Sequence, residues 1–333
     1  MDCKPKLVDA YSRKIDYLRI SVTDRCNLRC VYCMPPEGID LIESNDILRY
    51  EELLRIARIA AAHGVRKIRV TGGEPLVRKG IVDFLKNLSL IEGIEDLSLT
   101  TNGVLLKEYA RKLKDAGLKR VNVSLDSMNR ERFQKMTRGD NLGQVLDGLE
   151  EAEKVGLRPV KINMVVIKGF NDDEVVDFAL MSKTRPYHVR FIEYMPFNTQ
   201  EGWQRDKCLT ARQLKEMIDA VEPLIPVTDT KGAAGPAKRF RFKDAPGEVG
   251  FISPVSEHFC GTCNRLRLTA DGKLRTCLFS DKEIDIRKAL RDGSPDEVVE
   301  HLLFRAVAEK PEGHQINENV FKKCSRTMSL IGG

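Results

Sequence analysis

The chain has 333 residues, of which 42% are hydrophobic and 31% are charged, and its formal net charge is +6. This composition excludes a disordered or fibrous protein, and the length suits one large α/β domain with an extension or two ordinary domains. The positive charge is modest and spread along the chain, so it does not favour binding to nucleic acid.

Short β-branched runs alternate with amphipathic stretches from Tyr17 to about Pro196. The predicted strands cover 17–23, 67–71, 96–100, 120–126, 160–167 and 188–195, and the clearest helices cover 50–64, 106–118 and 143–157. Six consecutive βα units imply a parallel sheet. Polar residues follow several of these strands, at 71–74, 100–103 and 124–126, where barrel-like sheets build their sites. The pattern therefore favours an open partial (β/α)6 barrel over a doubly wound sheet.

The pattern becomes irregular after Pro196. It predicts a short helix at 211–221, a Gly/Pro/Lys-rich stretch at 230–239 and a hairpin at 265–279 that turns at Asp271-Gly272. A last helix is predicted at Asp296–Ala308. We therefore predict two domains, an α/β barrel at 1–200 and an α+β extension at 201–333.

The N-terminal segment and the cysteine content bear on the compartment. The first fourteen residues have no apolar core of the signal-peptide kind, and no apolar run is long enough to span a bilayer. We therefore expect a cytoplasmic protein that does not bind membranes. Nine cysteines in a long chain favour metal ligation over a disulfide framework. Three of them, Cys3, Cys208 and Cys324, stand apart and are interpreted as ordinary thiols.

The first cysteine group is Cys26, Cys30 and Cys33, spaced C-x3-C-x2-C immediately after the first predicted strand. Three thiolates within eight residues can ligate one four-iron cluster and leave one iron open to another ligand. A structural zinc site would need a fourth Cys or His, and the segment 34–46 that follows contains neither.

The second cysteine group is Cys260, Cys263 and Cys277. It suits a second open cluster, an electron-relay cluster, or a zinc site completed by His258. On a strand, Cys263, Arg265 and Arg267 project from one face. Such an arginine pair is often only a solvated face, but beside an open cluster it would form a pocket for an anionic substrate.

The first cysteine group, Tyr32 before its third cysteine, and GGEP at 72–75 together resemble the radical S-adenosylmethionine (SAM) superfamily. The resemblance implies an open partial barrel with a [4Fe–4S] cluster on these cysteines. SAM would bind the open iron and be cleaved to a 5′-deoxyadenosyl radical. The residues that the resemblance places around SAM are Tyr32, Gly73, Ser124 and Met195.

The second group with its arginines, and the segments 19–26, 160–174 and 190–197, resemble one branch of that superfamily, the GTP 3′,8-cyclases of molybdenum cofactor biosynthesis. The resemblance implies a second [4Fe–4S] cluster whose open iron binds the purine of GTP. The implied GTP-binding residues are Arg19, Arg69, Thr100, Lys161, Arg265, Leu266 and Arg267. The implied catalytic residues are Arg19, Arg265, Arg267, Gly332 and Gly333, the glycines lying in a mobile tail that reaches the barrel. Lys161 has a competing interpretation as a solvated lysine at the edge of its strand.

By the same resemblance, the adenosyl radical removes the ribose 3′ hydrogen of GTP, and C3′ then attacks C8 of guanine. The implied partners are an external electron donor of the flavodoxin or ferredoxin kind and a downstream cyclic pyranopterin monophosphate synthase that receives the product. We expect a monomer or a homodimer. Two alternatives stay open: another radical SAM enzyme with an auxiliary cluster, such as a peptide maturase, and a non-enzymatic iron–sulfur or zinc protein.

Overall fold

The structure is a computed structural model and describes residues 4–195, 205–228, 235–316 and 324–332. Its strands are β1 (Tyr17–Ser21), β2 (Lys67–Thr71), β3 (Asp96–Thr101), β4 (Arg120–Ser124), β5 (Val160–Val166), β6 (Tyr187–Glu193), β7 (Ile225–Pro226), β8 (Lys238–Arg241), β9 (Glu248–Ile252), β10 (Arg265–Leu268), β11 (Lys273–Arg275) and β12 (Ile284–Asp285). Its helices are α1 (Tyr50–Ala62), α2 (Ile81–Ser89), α3 (Leu106–Asp115), α4 (Arg130–Thr137), α5 (Leu142–Lys154), α6 (Val175–Thr184), α7 (Ala211–Asp219), α8 (Arg287–Arg291), α9 (Asp296–Ala308) and α10 (Met328–Ile331). None of the helices in these ranges is long and apolar enough to cross a membrane.

The strands form one sheet in the order β12-β11-β10-β1-β2-β3-β4-β5-β6-β9-β8-β7. The run from β10 to β9 is parallel throughout, and short antiparallel strands finish both edges. Within the described ranges the two edge strands, β12 and β7, do not pair with each other, so the sheet stays open. The predicted open partial barrel is confirmed, and the strands after residue 200 extend it on both sides.

Apolar and polar side chains alternate along the parallel strands, and this alternation creates the two faces of the sheet. Leu18, Ile68, Leu99 and Val121 are fully or almost fully buried in the core beneath the helices. α1 covers this core with a continuous apolar stripe that includes Leu53 and Ile56. The intervening polar residues face the concave side of the sheet, where a large cavity lies.

The predicted helices and strands lie close to the observed ones. The six predicted strands are present with ends that differ by at most two residues, and the predicted helix at Asp296–Ala308 is observed with the same bounds. The predicted hairpin is β10 and β11, whose register pairs Arg267 with Arg275. Gly272 lies in its turn at φ 81°, a left-handed conformation that glycine adopts without strain.

Candidate active site

A cavity of about 510 Å³ lies on the concave face of the sheet. Its walls come from the C-terminal ends of the parallel strands, from their interior polar residues, and from the segments before and after β10. Both cysteine groups line this one cavity: Cys26, Cys30, Cys33, Cys260, Cys263 and Cys277. Two groups that are more than 200 residues apart in the sequence therefore face a common space.

The first cysteine group is held by the turn after β2. The amide of Gly73 donates to the carbonyl of Thr23 at 2.7 Å, and the amide of Glu74 donates to the carbonyl of Arg25 at 2.8 Å. A Cβ atom on Gly73 would lie 2.4 Å from that Arg25 carbonyl oxygen, so only glycine fits this turn. The cysteine loop thus rests directly on the GGEP segment.

Burial controls the thiols of this first group. It raises the pKa of Cys26 to about 11 and the pKa of Cys33 to about 12. A cluster binds thiolates, so loading this site is expected to release protons. Three soft sulfur ligands on one short loop fit a cluster that keeps one open iron.

The four residues predicted to surround SAM all line the cavity: Tyr32, Gly73, Ser124 and Met195. The hydroxyl of Tyr32 donates to Asp126 Oδ2 at 2.7 Å, and Asp126 Oδ1 accepts from the amide of Val165 at 2.8 Å. Burial raises the pKa of Asp126 to about 6. Asp126 thereby fixes the orientation of Tyr32, a role that its place after β4 did not reveal.

The second cysteine group is surrounded by buried cations. Burial raises the pKa of the Cys263 thiol, but Arg265 and Lys310 more than offset this effect and bring it to about 7. Lys310 Nζ lies 3.5 Å from Cys263 Sγ and donates to the carbonyl of Arg265 at 3.1 Å. Arg13 donates to the carbonyl of Cys260 at 2.7 Å. Neither Lys310 nor Arg13 was predicted, because each lies in a segment without a recognisable motif.

The positions of the potential ligand atoms bear on whether the second cysteine group holds a zinc ion. In the part of the chain that the structure describes, one group of three potential ligand atoms lies within 4.8 Å, and it consists of His258, Cys260 and His314. It contains a single cysteine, so a lone ion there would leave Cys263 and Cys277 unused. The cysteine trios are more widely spaced, as suits ligands to separate irons of one cluster.

Several cationic side chains line the same cavity as the two cysteine groups. The predicted residues Arg19, Arg69, Lys161, Arg265 and Arg267 all line the cavity, and so does Thr100. Burial, together with the neighbouring Arg265, lowers the pKa of Arg267 to about 10. Within the described ranges, Arg19 Nε, Arg69 Nε and Thr100 Oγ1 are buried without a hydrogen-bond partner. Such a set of unpartnered donors suits a polyanionic ligand.

Lys161 faces the cavity even though it is the second residue of β5. Burial, and then the charges of Arg190, Arg120 and Arg69, lower its pKa to about 6. Arg120 and Arg190 line the same cavity and were not predicted. They share the alternating pattern of the other cavity arginines, which is the signal that would have identified them.

The C-terminal tail and Leu266 differ from the other predicted catalytic and GTP-binding residues, because neither presents a side chain to the cavity. The carbonyl of Gly332 accepts from Arg19 Nη2 and from Arg267 Nη1, both at 3.3 Å. Gly333 lies outside the described residues. The side chain of Leu266 is buried in the core on the opposite face of β10, so it does not face the cavity.

Known structures and family models match this architecture. Residues 20–181 match the radical SAM superfamily, and residues 187–316 match the family described as molybdenum cofactor synthesis C. The crystal structure of Streptococcus suis SuiB bound to S-adenosylmethionine aligns with 85% of this chain and 65% of that chain, with a TM-score of 0.59 and 16% identity. Native anSMEcpe with bound AdoMet aligns with 95% of this chain and 87% of that chain, with a TM-score of 0.58 and 17% identity. The fold and the first cysteine site define a radical SAM protein.

Curated relatives show which family within the radical SAM superfamily the chain belongs to. The GTP 3′,8-cyclase of Thermodesulfovibrio yellowstonii is 52% identical over 327 residues, 98% of this chain and 99% of that one. The GTP 3′,8-cyclase of Pelotomaculum thermopropionicum is 51% identical over 326 residues, with the same shares. That of Geobacter sulfurreducens is 49% identical over 329 residues, 98% of this chain and 100% of that one. The chain belongs to the GTP 3′,8-cyclase family of radical SAM enzymes, and this membership sets aside the peptide-maturase and non-enzymatic alternatives.

Proposed function

We propose that this chain converts GTP into (8S)-3′,8-cyclo-7,8-dihydroguanosine 5′-triphosphate, the first step of molybdenum cofactor biosynthesis. The observation that carries the proposal is that both cysteine groups line one cavity together with several cationic side chains. As a member of its family the enzyme uses SAM and two [4Fe–4S] clusters.

The residues of the first site orient SAM. Cys26, Cys30 and Cys33 would hold the first cluster. Gly73 has no side chain, so the turn after β2 can lie directly against the cysteine loop. Tyr32, held by Asp126, contributes a fixed aromatic wall. When bound, the first cluster and SAM together supply the 5′-deoxyadenosyl radical that removes a hydrogen atom from the substrate.

The residues of the second site hold GTP at both ends. Cys260, Cys263 and Cys277 would hold the cluster whose open iron takes the purine. Arg19, Arg69, Lys161, Arg265 and Arg267, which line the cavity, bind the triphosphate. Thr100 offers a hydroxyl that has no hydrogen-bond partner among the described residues. Leu266, which lies between two of these arginines on β10, is proposed to contact GTP through its main chain. Fixing both ends keeps the ribose C3′ beside C8 of guanine, and positioning of this kind is the main rate contribution that protein side chains supply. Gly332, with Gly333, is proposed to place the tail against Arg19 and Arg267.

The proposal extends to partners and organisation. An external electron donor of the flavodoxin or ferredoxin kind would reduce the first cluster, and a cyclic pyranopterin monophosphate synthase would receive the product. We place the enzyme in the cytoplasm as a monomer or homodimer that binds neither nucleic acid nor membranes. The division into a barrel at 1–200 and an extension at 201–333 is likewise a proposal.

The test is an anaerobic incubation of the reconstituted protein with SAM, dithionite and GTP, followed by mass analysis of the nucleotides. We expect a product isomeric with GTP that forms together with 5′-deoxyadenosine and does not form without SAM. Cleavage of SAM with unchanged GTP would contradict the proposed substrate.

Variants of the second site test the assignment of the arginines. Arg267→Ala should retain both clusters by iron analysis but lose at least about tenfold in GTP affinity or turnover, because it removes a charge-assisted contact. Arg265→Ala should show the same loss of GTP affinity or turnover, and it should also hold less iron at the second site, because Arg265 faces the Cys263 thiol. Arg130→Ala is the matched control, since Arg130 is exposed and pairs with Asp140. Wild-type affinity and yield in both cavity variants would refute the assignment.

A further inference from the structure

Tyr17 is a buried polar side chain that the preceding assignment does not use. It is the first residue of β1, its exposed fraction is 5%, and it lines the cavity. In the described part of the chain its hydroxyl has no hydrogen-bond partner. Leaving a buried hydroxyl unpaired costs about 1–3 kcal/mol, so such a group at a cavity wall points to a contact with a ligand.

The surroundings of Tyr17 are strongly cationic. The guanidinium of Arg69 lies 5.4 Å from the centre of the Tyr17 ring. Arg265 is the register partner of Tyr17 on the adjacent strand β10. Although burial opposes it, the charges of Arg69, Arg19, Arg265 and Arg120 lower the pKa of the phenol. An acceptor that approaches the hydroxyl therefore also meets several guanidinium groups.

The hydrogen-bond donors around Tyr17 indicate which chemical group of a ligand would bind there. Guanidinium groups only donate hydrogen bonds, and a phenol donates one. Among the described residues, Arg19 Nε and Arg69 Nε are buried without a hydrogen-bond partner, as is the Tyr17 hydroxyl, whereas the guanidinium of Arg120 is held by Asp96. A group that satisfies several converging donors and cations at once must be a multiply charged oxyanion, and a triphosphate has that character.

We infer that Tyr17 is a substrate-binding residue whose hydroxyl donates a hydrogen bond to a phosphate oxygen of the GTP triphosphate. The inference rests on the proposed function, because that function supplies the nucleotide. Beside the charged contacts of the arginines, Tyr17 would supply an uncharged hydrogen bond. Because its ring is fixed in the sheet, this hydrogen bond requires a phosphate oxygen at a defined position.

The test is Tyr17→Phe, which removes one oxygen and preserves the ring. GTP affinity is measured by anaerobic equilibrium dialysis of the reconstituted protein without reductant, so that no turnover occurs. We expect the variant to bind GTP on the order of 10-fold more weakly, as for the loss of a hydrogen bond to a charged group. Guanosine, which has no phosphate, should bind the variant and the wild-type protein equally.

Tyr50→Phe is the matched control. The Tyr50 hydroxyl is also buried and has no partner among the residues that the structure describes, but its ring stacks on Phe84 and does not line the cavity. We expect its GTP affinity to equal that of the wild-type protein. The thermal midpoint of nucleotide-free Tyr17→Phe should not fall, because the hydroxyl makes no internal hydrogen bond to lose.

The outcomes separate the two levels of the proposal. If the wild-type protein binds GTP and Tyr17→Phe binds it equally well, the inference fails and the proposed function stands. An equal loss for guanosine would place the contact on the nucleoside and overturn the phosphate assignment, and a lowered thermal midpoint would make the hydroxyl a structural group. Absence of GTP binding by the wild-type protein would refute the proposed function itself.

Discussion

Lys161 shows how a single residue acquires its chemistry from its neighbours. In the sequence it is one of many lysines, and at neutral pH a lysine is normally charged. In the cavity, burial and three arginines lower its pKa to about 6, so most of it is neutral at pH 8. Burial lowers the pKa of the neighbouring Arg190 only to about 9, so this guanidinium is still mostly charged at pH 8.

This pKa predicts proton uptake when GTP binds. A triphosphate beside Lys161 would raise its pKa again, so binding at pH 8 should take up about one proton, and the affinity should fall as the pH rises from 7 to 9. The measurement is titration calorimetry in two buffers of different ionisation enthalpy. Lys161→Met should remove most of the uptake, and an unchanged uptake in that variant would contradict the prediction.

The same pKa affects stability with a defined sign. The pKa of Lys161 in the folded state lies below its unfolded value, 10.5, so between pH 6 and 10.5 the unfolded chain binds more protons. The contribution of Lys161 to folding therefore becomes more favourable as the pH rises through that window. At neutral pH, keeping this lysine in the cavity costs the ligand-free protein stability.

At the scale of elements, the turn after β2 and the first cysteine loop act as one unit. The two segments are joined by main-chain hydrogen bonds, and they approach so closely at Gly73 that a Cβ atom would overlap two carbonyl oxygens. The sequence predicted both motifs. It did not show that they touch, because contact between loops that follow adjacent parallel strands depends on the register of those strands.

Gly73→Ala is predicted to disturb the first cluster selectively. The overlap should cost about 1–3 kcal/mol and displace the cysteine loop, so iron should fall from about eight to about four atoms per chain, with loss of SAM cleavage. Iron and sulfide analysis after reconstitution provides the measurement.

Gly143→Ala serves as the control for this change. Gly143 lies exposed in α5, and apart from its own helix backbone and chain neighbours no described atom lies within 4 Å of an added Cβ. The same substitution should therefore leave both clusters intact and stabilise the helix by up to about 1 kcal/mol. Full iron content in Gly73→Ala would show that the turn can adjust, contrary to the prediction.

At the scale of the whole molecule, distant segments meet around the second cysteine group. Arg13, from the segment before β1, pairs with Asp9 and donates to the carbonyls of Cys260, Pro311 and Glu312. Lys310 follows α9 and reaches Cys263. The site therefore depends on residues from both ends of the chain, not only on the segment that carries its cysteines.

Lys310→Met is predicted to weaken the second cluster and spare the first. The change removes the ammonium that faces the Cys263 sulfur and leaves the carbonyls of Arg265 and Thr276 without their donor. Iron should fall toward about four atoms per chain, SAM cleavage should persist, and GTP turnover should be lost. Lys288→Met on the exposed surface of α8 is the control and should match the wild-type protein. Equal losses from both clusters would indicate general misfolding instead.

Most of the fold followed from local patterns. Short β-branched runs marked the six central strands, and the Asp271-Gly272 turn marked the hairpin of β10 and β11. The sequence did not predict that β9 and β10 add in parallel to opposite edges of the barrel. β10 is far in sequence from its partner β1, and no local pattern links β9 to its partner β6. Nothing local in a four- or five-residue strand distinguishes a parallel neighbour from an antiparallel one.

The sequence by itself determined the kind of chemistry. The spacing of the cysteines and the GGEP segment identified two groups of three thiolates, each of which leaves one iron without a protein ligand. This was visible in the sequence because the cysteines of each group lie at short, characteristic spacings. Only the tertiary structure decided that both groups face one cavity, that Lys161 lies in it, and that Tyr17, Asp126, Arg13 and Lys310 surround it. The physical reason is that burial, charge and hydrogen-bond partners are set by strand register and packing between distant segments, and short sequence motifs do not record these contacts.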